Sequence, residues 1–469
     1  MITSVIRHEF VGTLRDGRFR WAAVFVGLLL IAALVAGWSY QREQAEQRAL
    51  ATASEDNRWL TQPAKNPHSA AHYGIWAFKP SLATSFIDPG VEPYAGVAVW
   101  LEAHRQNQFL HKPADDASAA QRFGDLTAAL VLQLLVPLLV VILAFGSVAS
   151  ERERGTLRQA LACGGNATPW MWGKALGLAA ALGLLLLPLL VAGGALLLFQ
   201  RDNVVVNGAW LRFALLIASY AAYLGIFVLG TLAVSALAPS ARVALVASLG
   251  LWMFNGLLLP RAMAEIAGAR HPTMEGVTFR TELRAKLDDP HARSPRLERL
   301  QAEMMQRYKV TRPEDLPLHR GGLNLLASEE TSDAVYDELF GRAFGQIEAQ
   351  NRMQRAAGWF APLGALQPLS LALAGTDFAH HRHFITAAET HRRLMQRMLN
   401  TDLMLNGPRD GSVYLADPKL WHSIPKFDYR PPSLREVLQD RLASLAGLAG
   451  WFAVAIAAFL HAARRLNPI

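Results

Sequence analysis

The chain has one cysteine, Cys163, in 469 residues, so no internal disulfide can form. The lone thiol also has no partner set that would make it a nucleophile. There is no phosphate-binding loop: Gly173-Lys174 lacks the preceding glycine and is followed by Ala175, which excludes ATP binding of the usual kind. His8-Glu9 continues as Phe10-Val11-Gly12, so the helical zinc-protease motif is missing, and no Gly-x-Ser-x-Gly elbow occurs. No acidic residue lies deep in a long apolar run, which argues against a proton-driven carrier, because such relays use Asp, Glu or His. A cleaved signal is not expected. The first apolar run starts near Trp21 and is followed by Gln41-Arg42-Glu43 rather than by small residues. Internal repeats and low-complexity tracts are also lacking.

Long apolar runs are what the chain does have. About 20 apolar residues cross a bilayer, and several runs reach that length. Lys and Arg outnumber Asp and Glu by 46 to 38, for a net charge of +8. The excess sits beside the apolar runs, where the positive-inside rule explains it without nucleic acid. Arg15, Arg18 and Arg20 place the N-terminus inside, and Arg464 and Arg465 place the C-terminus there too. The expected order is an interfacial amphipathic helix at 1–20, a span at 21–40, an outer segment at 41–124 and a span at 125–149. An inner turn at 150–168 follows, then spans at 169–199, 209–237 and 243–262, a large outer segment at 263–440, a last span at 441–463 and an inner tail at 464–469. The fold class is an all-α membrane protein of six transmembrane helices, with a mainly helical extracytoplasmic domain built from two insertions.

The inner turn carries Glu151, Arg152, Glu153, Arg154, Gly155, Thr156, Leu157 and Arg158. Positive-inside flanking does not account for the two glutamates, and the alternating charges suggest a docking surface. Thr156 with Gln159 reads as a capping box opening a short helix. Gly164-Gly165 reads as its stop, and Thr168-Pro169 as the cap and first position of the next helix.

Within the spans, Ser219, Tyr223, Thr231 and Ser235 recur at steps of four or eight. They line either a substrate path or a helix–helix contact, and packing through hydroxylated residues is the preferred reading. Gln133, beside Pro137, and Asn255 are read the same way. In the outer segments, helices are expected from Ser294-Pro295, from Ser332 and over 381–400, and Ser433 with Glu436 forms a further capping box. Residues 359–375 are apolar but short and interrupted by prolines, and read as a buried or interfacial piece, with a further span as the alternative. Ser328 suggests itself as an accessible position for labelling from outside. His380, His381, His383 and His391 cluster here. They are weak candidates for a metal contact, because they lack the cysteine or carboxylate set of a tight site.

The stretch from Ser150 to Gln159 resembles the segment after the second span in type-2 ABC transporter permeases, where Glu-Arg-Glu-x-Gly-Thr-Leu recurs. The stretches 367–377 and 427–434 are similar to motifs of a subgroup with a large extracytoplasmic insert of unassigned function. The plan is distantly similar to permeases of the nitrous-oxide-reductase maturation type, whose outer portion is much smaller. The resemblance implies the type-2 exporter fold in a bacterial inner membrane. A second permease, identical or a sister, would pair with this chain. A separate ATP-binding subunit would hold ATP and Mg²⁺, leaving this chain with no cofactor and no catalysis of its own. Residues 151–161 would be the coupling helix and 1–20 the connecting helix. Two roles remain open: an exporter permease, or a mechanotransmitting or scaffolding subunit whose outer domain acts on a periplasmic partner while nothing crosses.

Overall fold

The computed structural model describes residues 2–107, 126–162, 166–200 and 208–466. Cys163, the expected stop at Gly164-Gly165 and most of the turn at 201–208 lie outside the described residues. The chain opens with α1 (Ile2–Arg15) and passes through Asp16 into α2 (Gly17–Leu60). A small unit follows, made of α3 (Pro67–Tyr73), β1 (Ile75–Phe78), β2 (Ala98–Glu102) and β3 (Arg105–Gln106). Next come α4 (Ala128–Glu153), α5 (Thr156–Ala162), α6 (Ala167–Leu198), α7 (Ala209–Leu237) and α8 (Ala241–Arg270). The second insertion holds α9 (Gly276–Leu287), α10 (Pro290–Tyr308), α11 (Arg320–Ala356), α12 (Pro362–Ala374) and α13 (Phe378–Asn406). Finally α14 (Leu434–Asp440) leads into α15 (Leu442–Arg464). Among the described residues, α2, α4, α6, α7, α8 and α15 are long and apolar enough to cross a membrane.

These six form one bundle with α7 at its centre, packed along α15, α4, α6 and α8. Leu30, Val136, Met171, Leu216, Leu448 and Phe459 share its core, while Phe25, Leu187, Val191 and Val246 point outward, as helices in lipid require. The small helix α1 lies along α6 over Gly173 and Gly177. A Cβ at Gly173 would stand 2.6 Å from the Val5 side chain, and one at Gly177 would stand 2.8 Å from the Ile6 carbonyl. Two glycines one turn apart thus form the groove that lets the two backbones approach.

Residues 359–375 enter this bundle. Helix α12 packs against α7 and α15, and Leu363, Leu366 and Leu369 join the core of the spans. A short helix in an apolar bundle needs partners for its end groups. Side chains of the spans provide them. Asn255 Oδ1 accepts from the Leu363 N–H at 3.0 Å, and Arg212 donates to the Ala372 carbonyl at 3.2 Å. Trp451 donates to the Gly358 carbonyl at 2.8 Å, just before the helix starts. Gly375, at φ 76°, closes the helix in the left-handed conformation.

Outside the bundle stands a polar domain built from both insertions. Its core holds Trp59 from the far end of α2, Val99 and Leu101 from β2, Phe384, Met395 and Leu399 from α13, and Trp421. The strands pair antiparallel in the order β1-β2-β3, with Trp76 opposite Trp100. This sheet, set in a proline-rich stretch, was not expected. Several boundaries also differ from expectation. Pro295 lies inside α10 and Ser332 inside α11, where its hydroxyl donates to the Ser328 carbonyl at 3.0 Å. Asn166, not Thr168, caps α6: its side chain accepts from the Thr168 N–H. The box of Ser433 and Glu436 forms, with both reciprocal hydrogen bonds present.

Candidate functional site: a braced turn and a polar seam

The charged turn is clamped on three sides. Lys174 of α6 is buried and reaches two carboxylates, Glu9 of α1 at 3.0 Å and Glu151 at 2.7 Å. Arg152 donates to the carbonyls of Ala236 and, at 2.5 Å, Ala238 at the end of α7. Glu153 accepts from the Ala241 N–H at 3.1 Å, at the start of α8. Below the charges, Ser235 accepts from the amides of Val148 and Ala149, each at 3.1 Å. The turn therefore touches α1, α6, α7 and α8 together. Gly155 supplies a left-handed φ of 74° where the chain bends into α5.

Helix α5 is tied down by the buried Leu157 and Leu161, which join the bundle core. Its other face is open: Arg154, Gly155, Thr156, Arg158 and Gln159 are exposed. Thr156 does not make the expected capping box. It is the first helical residue, and its hydroxyl donates back to the Glu151 carbonyl at 3.2 Å.

A second polar feature runs through the middle of the bundle. Gln133 Nε2 donates to the Tyr220 hydroxyl at 3.0 Å; Tyr220 and Ser370 stand 2.9 Å apart; and Ser370 donates to Asp88 at 2.6 Å. Tyr223 donates to the Gln133 carbonyl at 2.8 Å, and Asn255 donates to the Tyr223 hydroxyl at 3.0 Å. Proline explains why that carbonyl is free. Pro137 has no N–H to offer the residue four before it, so the Gln133 carbonyl turns to Tyr223. Both Gln133 and Asn255 sit in π-turns, Val131–Leu135 and Phe254–Leu258. Burial pushes the Asp88 carboxyl up to about 6, against the pull of the Ser370 hydroxyl. Asp88 escaped the sequence reading because it sits on a loop folded against the bundle, not in a span. Ser219 and Thr231 are buried along α7. Beside this seam lies a cleft of ≈ 410 Å³ with apolar walls, including Leu30, Leu182, Leu186, Ile217 and Phe452.

His380, His381, His383 and His391 do not converge on one point. His380 Nδ1 lies 2.6 Å from Asp377, and His383 Nδ1 lies 3.0 Å from the Tyr429 hydroxyl. His391 packs its ring on Phe427, and His381 is buried next to Phe378. Among the described residues, the group whose ligand atoms lie close enough to share an ion is His68, His72 and His104. The sequence reading passed over it. His68 and His72, one helical turn apart, were a visible signal, but His104 reaches them only through the hairpin.

Six apolar helices in one bundle, a short helix buried between them and a polar domain built from two insertions define a polytopic α-helical membrane protein. Comparison with known families takes this further. The model of the ABC-2 family transporter protein matches residues 3–334, and that of a domain of unknown function, DUF3526, matches residues 277–430. The chain belongs to the ABC-2 transporter family and is a permease subunit of an ABC transporter. The family is a transport component of the membrane, which pairs with an ABC ATP-binding partner. None of the curated proteins compared with the chain matches it.

Proposed function

We propose that this permease is driven through α5. In this reading residues 151–161 are the coupling helix, docked in a groove of a separate ATP-binding subunit that holds ATP and Mg²⁺. The observation that carries it is the combination of an open face with a clamped back. Arg154, Thr156, Arg158 and Gln159 are free for a partner, while Lys174, Arg152 and Glu153 tie the same turn to α1, α6, α7 and α8. A push on such a turn moves several helices as one body, the kind of rigid motion that opens and closes transporters. The charges at both termini favour a cytoplasmic α5 and an extracytoplasmic polar domain in a bacterial inner membrane. Export from or through that membrane then follows, by a pair of permeases, identical or sister chains. The apolar cleft would suit an acyl chain better than a polar solute.

The test is co-purification with the ATP-binding subunit, followed by ATPase measurement with Arg154→Glu/Arg158→Glu. Loss of stimulation in a permease that still inserts supports the assignment; full stimulation refutes it. Topology is tested with an impermeant thiol reagent in a Cys163→Ser background. Ser328 is unsuitable because it is buried in α11, so the label belongs at the exposed Ser412. Labelling of Ser412→Cys only after the membrane is opened on its inner side would overturn the orientation.

A mechanotransmitting role is the second reading, and one observation favours it. Helix α2 runs unbroken from the bundle into the core of the polar domain, where Trp59 is buried. Movement of the spans would then be delivered to that domain and to a periplasmic partner.

A further inference from the structure

We propose that His68, His72 and His104 hold one divalent cation of the zinc–copper class through three imidazole nitrogens, with a fourth position open to water. The site starts from local sequence. Asn66 caps α3 by accepting from the His68 N–H at 2.9 Å, and Pro67 occupies the first helical position. That fixes a short helix whose residues 68 and 72, four apart, share a face. The rings of His68 and His72 lie with centroids 4.7 Å apart. His104 comes from the turn between β2 and β3, and is held there at φ 61°. For a residue with a Cβ this conformation is costly, and such strain collects at functional sites.

The nitrogen geometry is that of a ligand set. His72 Nε2 stands 3.2 Å from His68 Nε2, and His104 Nε2 stands 3.3 Å from it. Tetrahedral zinc with nitrogens at about 2.0–2.1 Å has ligand atoms about 3.4 Å apart. All three candidate ligand atoms lie within 4.8 Å of one another. His68 Nε2 is common to both contacts, and in a neutral ring one nitrogen is either donor or acceptor, so it cannot accept from one neighbour while donating to the other. A cation at the centre satisfies all three lone pairs.

The surroundings orient the rings as a metal site requires. His104 Nδ1 lies 2.7 Å from Glu329 Oε1, and the His104 backbone N–H donates to the same oxygen at 2.9 Å. The carboxylate stands beside Nδ1, the place an acceptor takes behind a metal-ligating histidine, and Nε2 faces His68. Glu329 is itself fixed by the buried Arg392 at 3.2 Å. The Asn400 side chain lies against His68. His72 is exposed, so one side of the set faces solvent and leaves room for water. The donors are all imidazole nitrogen, which suits zinc or copper and not magnesium or calcium. This inference is independent of how α5 is driven.

The test uses the full chain in detergent, with any affinity tag removed and metal stripped by a chelator. Co²⁺ serves as the spectroscopic probe and Zn²⁺ as the competitor. Wild-type protein should take up one Co²⁺ per chain with the visible bands of four-coordinate cobalt, and Zn²⁺ should displace it and raise the thermal midpoint. His72→Ala, at an exposed position, should lose the bands and the zinc-induced rise while keeping the midpoint of the metal-free protein. Glu329→Gln should weaken binding about 10–100-fold, as for other groups that orient a ligand. His383→Ala should bind as wild type. The proposal is overturned if wild-type protein takes up no stoichiometric Co²⁺ or Zn²⁺, or if His72→Ala binds as tightly as wild type.

Discussion

At the charged turn, neighbouring charged residues have different duties. Glu151 faces inward to Lys174, and Arg154 faces outward. Changing both at once would mix the two effects, so they are best separated. Lys174→Met would strand Glu9 and Glu151 without their cation. Removing one partner of a buried pair costs about 3–5 kcal/mol, and the low end applies here because the Glu151 side chain keeps 31 % exposure. A drop of several degrees in the thermal midpoint is expected. Arg154→Ala should leave stability within about 0.5 kcal/mol, as exposed changes usually do, yet abolish ATPase stimulation. If the two variants lose stability and stimulation together, bracing and docking are not separate duties. The residue types were legible here because unusual glutamates beside a span draw notice. The partners were not: Lys174 sits within an apolar run, and only the fold brings Glu9 to it.

At the scale of elements, helix existence was easier to read than helix ends. Periodicity marks a face over many residues, whereas a cap depends on one local choice. Ser433 with Glu436 forms its box, but Thr156 with Gln159 does not, because the bend at Gly155 already places Thr156 inside the helix. The small sheet was hidden because its strands are short and lie among prolines. Packing of elements depends on equally local features. Gly177→Leu would drive side-chain atoms into the backbone of α1, where the Ile6 carbonyl and Phe10 amide cannot step aside. Helix α1 should lift from α6, and a cysteine at Val5 in the Cys163→Ser background should react faster with maleimide. Unchanged reactivity would show that the groove does not hold α1.

The joint between polar domain and last span is also an element-scale device. Asp377 caps α13, pairs with His380 at 2.6 Å, and binds Arg441 at the head of α15. Burial opposes its charge, but hydrogen bonding to His380 and the positive Arg441 outweigh burial and hold its carboxyl well below the usual range. A carboxyl depressed in the folded state stabilises above its unfolded pKa, about 3.9, and that contribution fades as pH falls from there toward the folded value. Thermal midpoints should therefore fall as pH drops below about 4. Asp377→Asn should start lower at neutral pH, because Arg441 is left unpaired, and should show a flatter slope on the acid side. An acid limb as steep as wild type would assign the loss to other groups.

For the whole molecule, the bundle and the polar domain are joined by few continuous members, and α2 is the longest of them. Its bundle half buries Leu30 and Leu34 among the spans, and its far half carries Trp59 into the domain core. Between these, Gln41 donates to the Leu82 carbonyl at 2.6 Å and Arg48 to Ser81 at 2.8 Å, so the helix is gripped on the way. The apolar run at 21–40 was plain in the sequence. A charged helical continuation over 41–50 was legible too; that the same helix runs on to residue 60 was not, because its far end packs on segments far away in the chain. A stiff helix fixed at both ends transmits rotation; a broken one does not. Proline in a helix interior removes a hydrogen bond and costs about 3 kcal/mol or more. Glu43 is exposed, so Glu43→Pro breaks the shaft without emptying either core. Spin labels on the polar domain and on the bundle should report an ATP-dependent change of distance in the wild-type complex. In Glu43→Pro that change should vanish while ATPase stimulation through α5 persists. Loss of both would place α2 within the drive itself, and survival of the distance change would assign the transmission to α12 and α15.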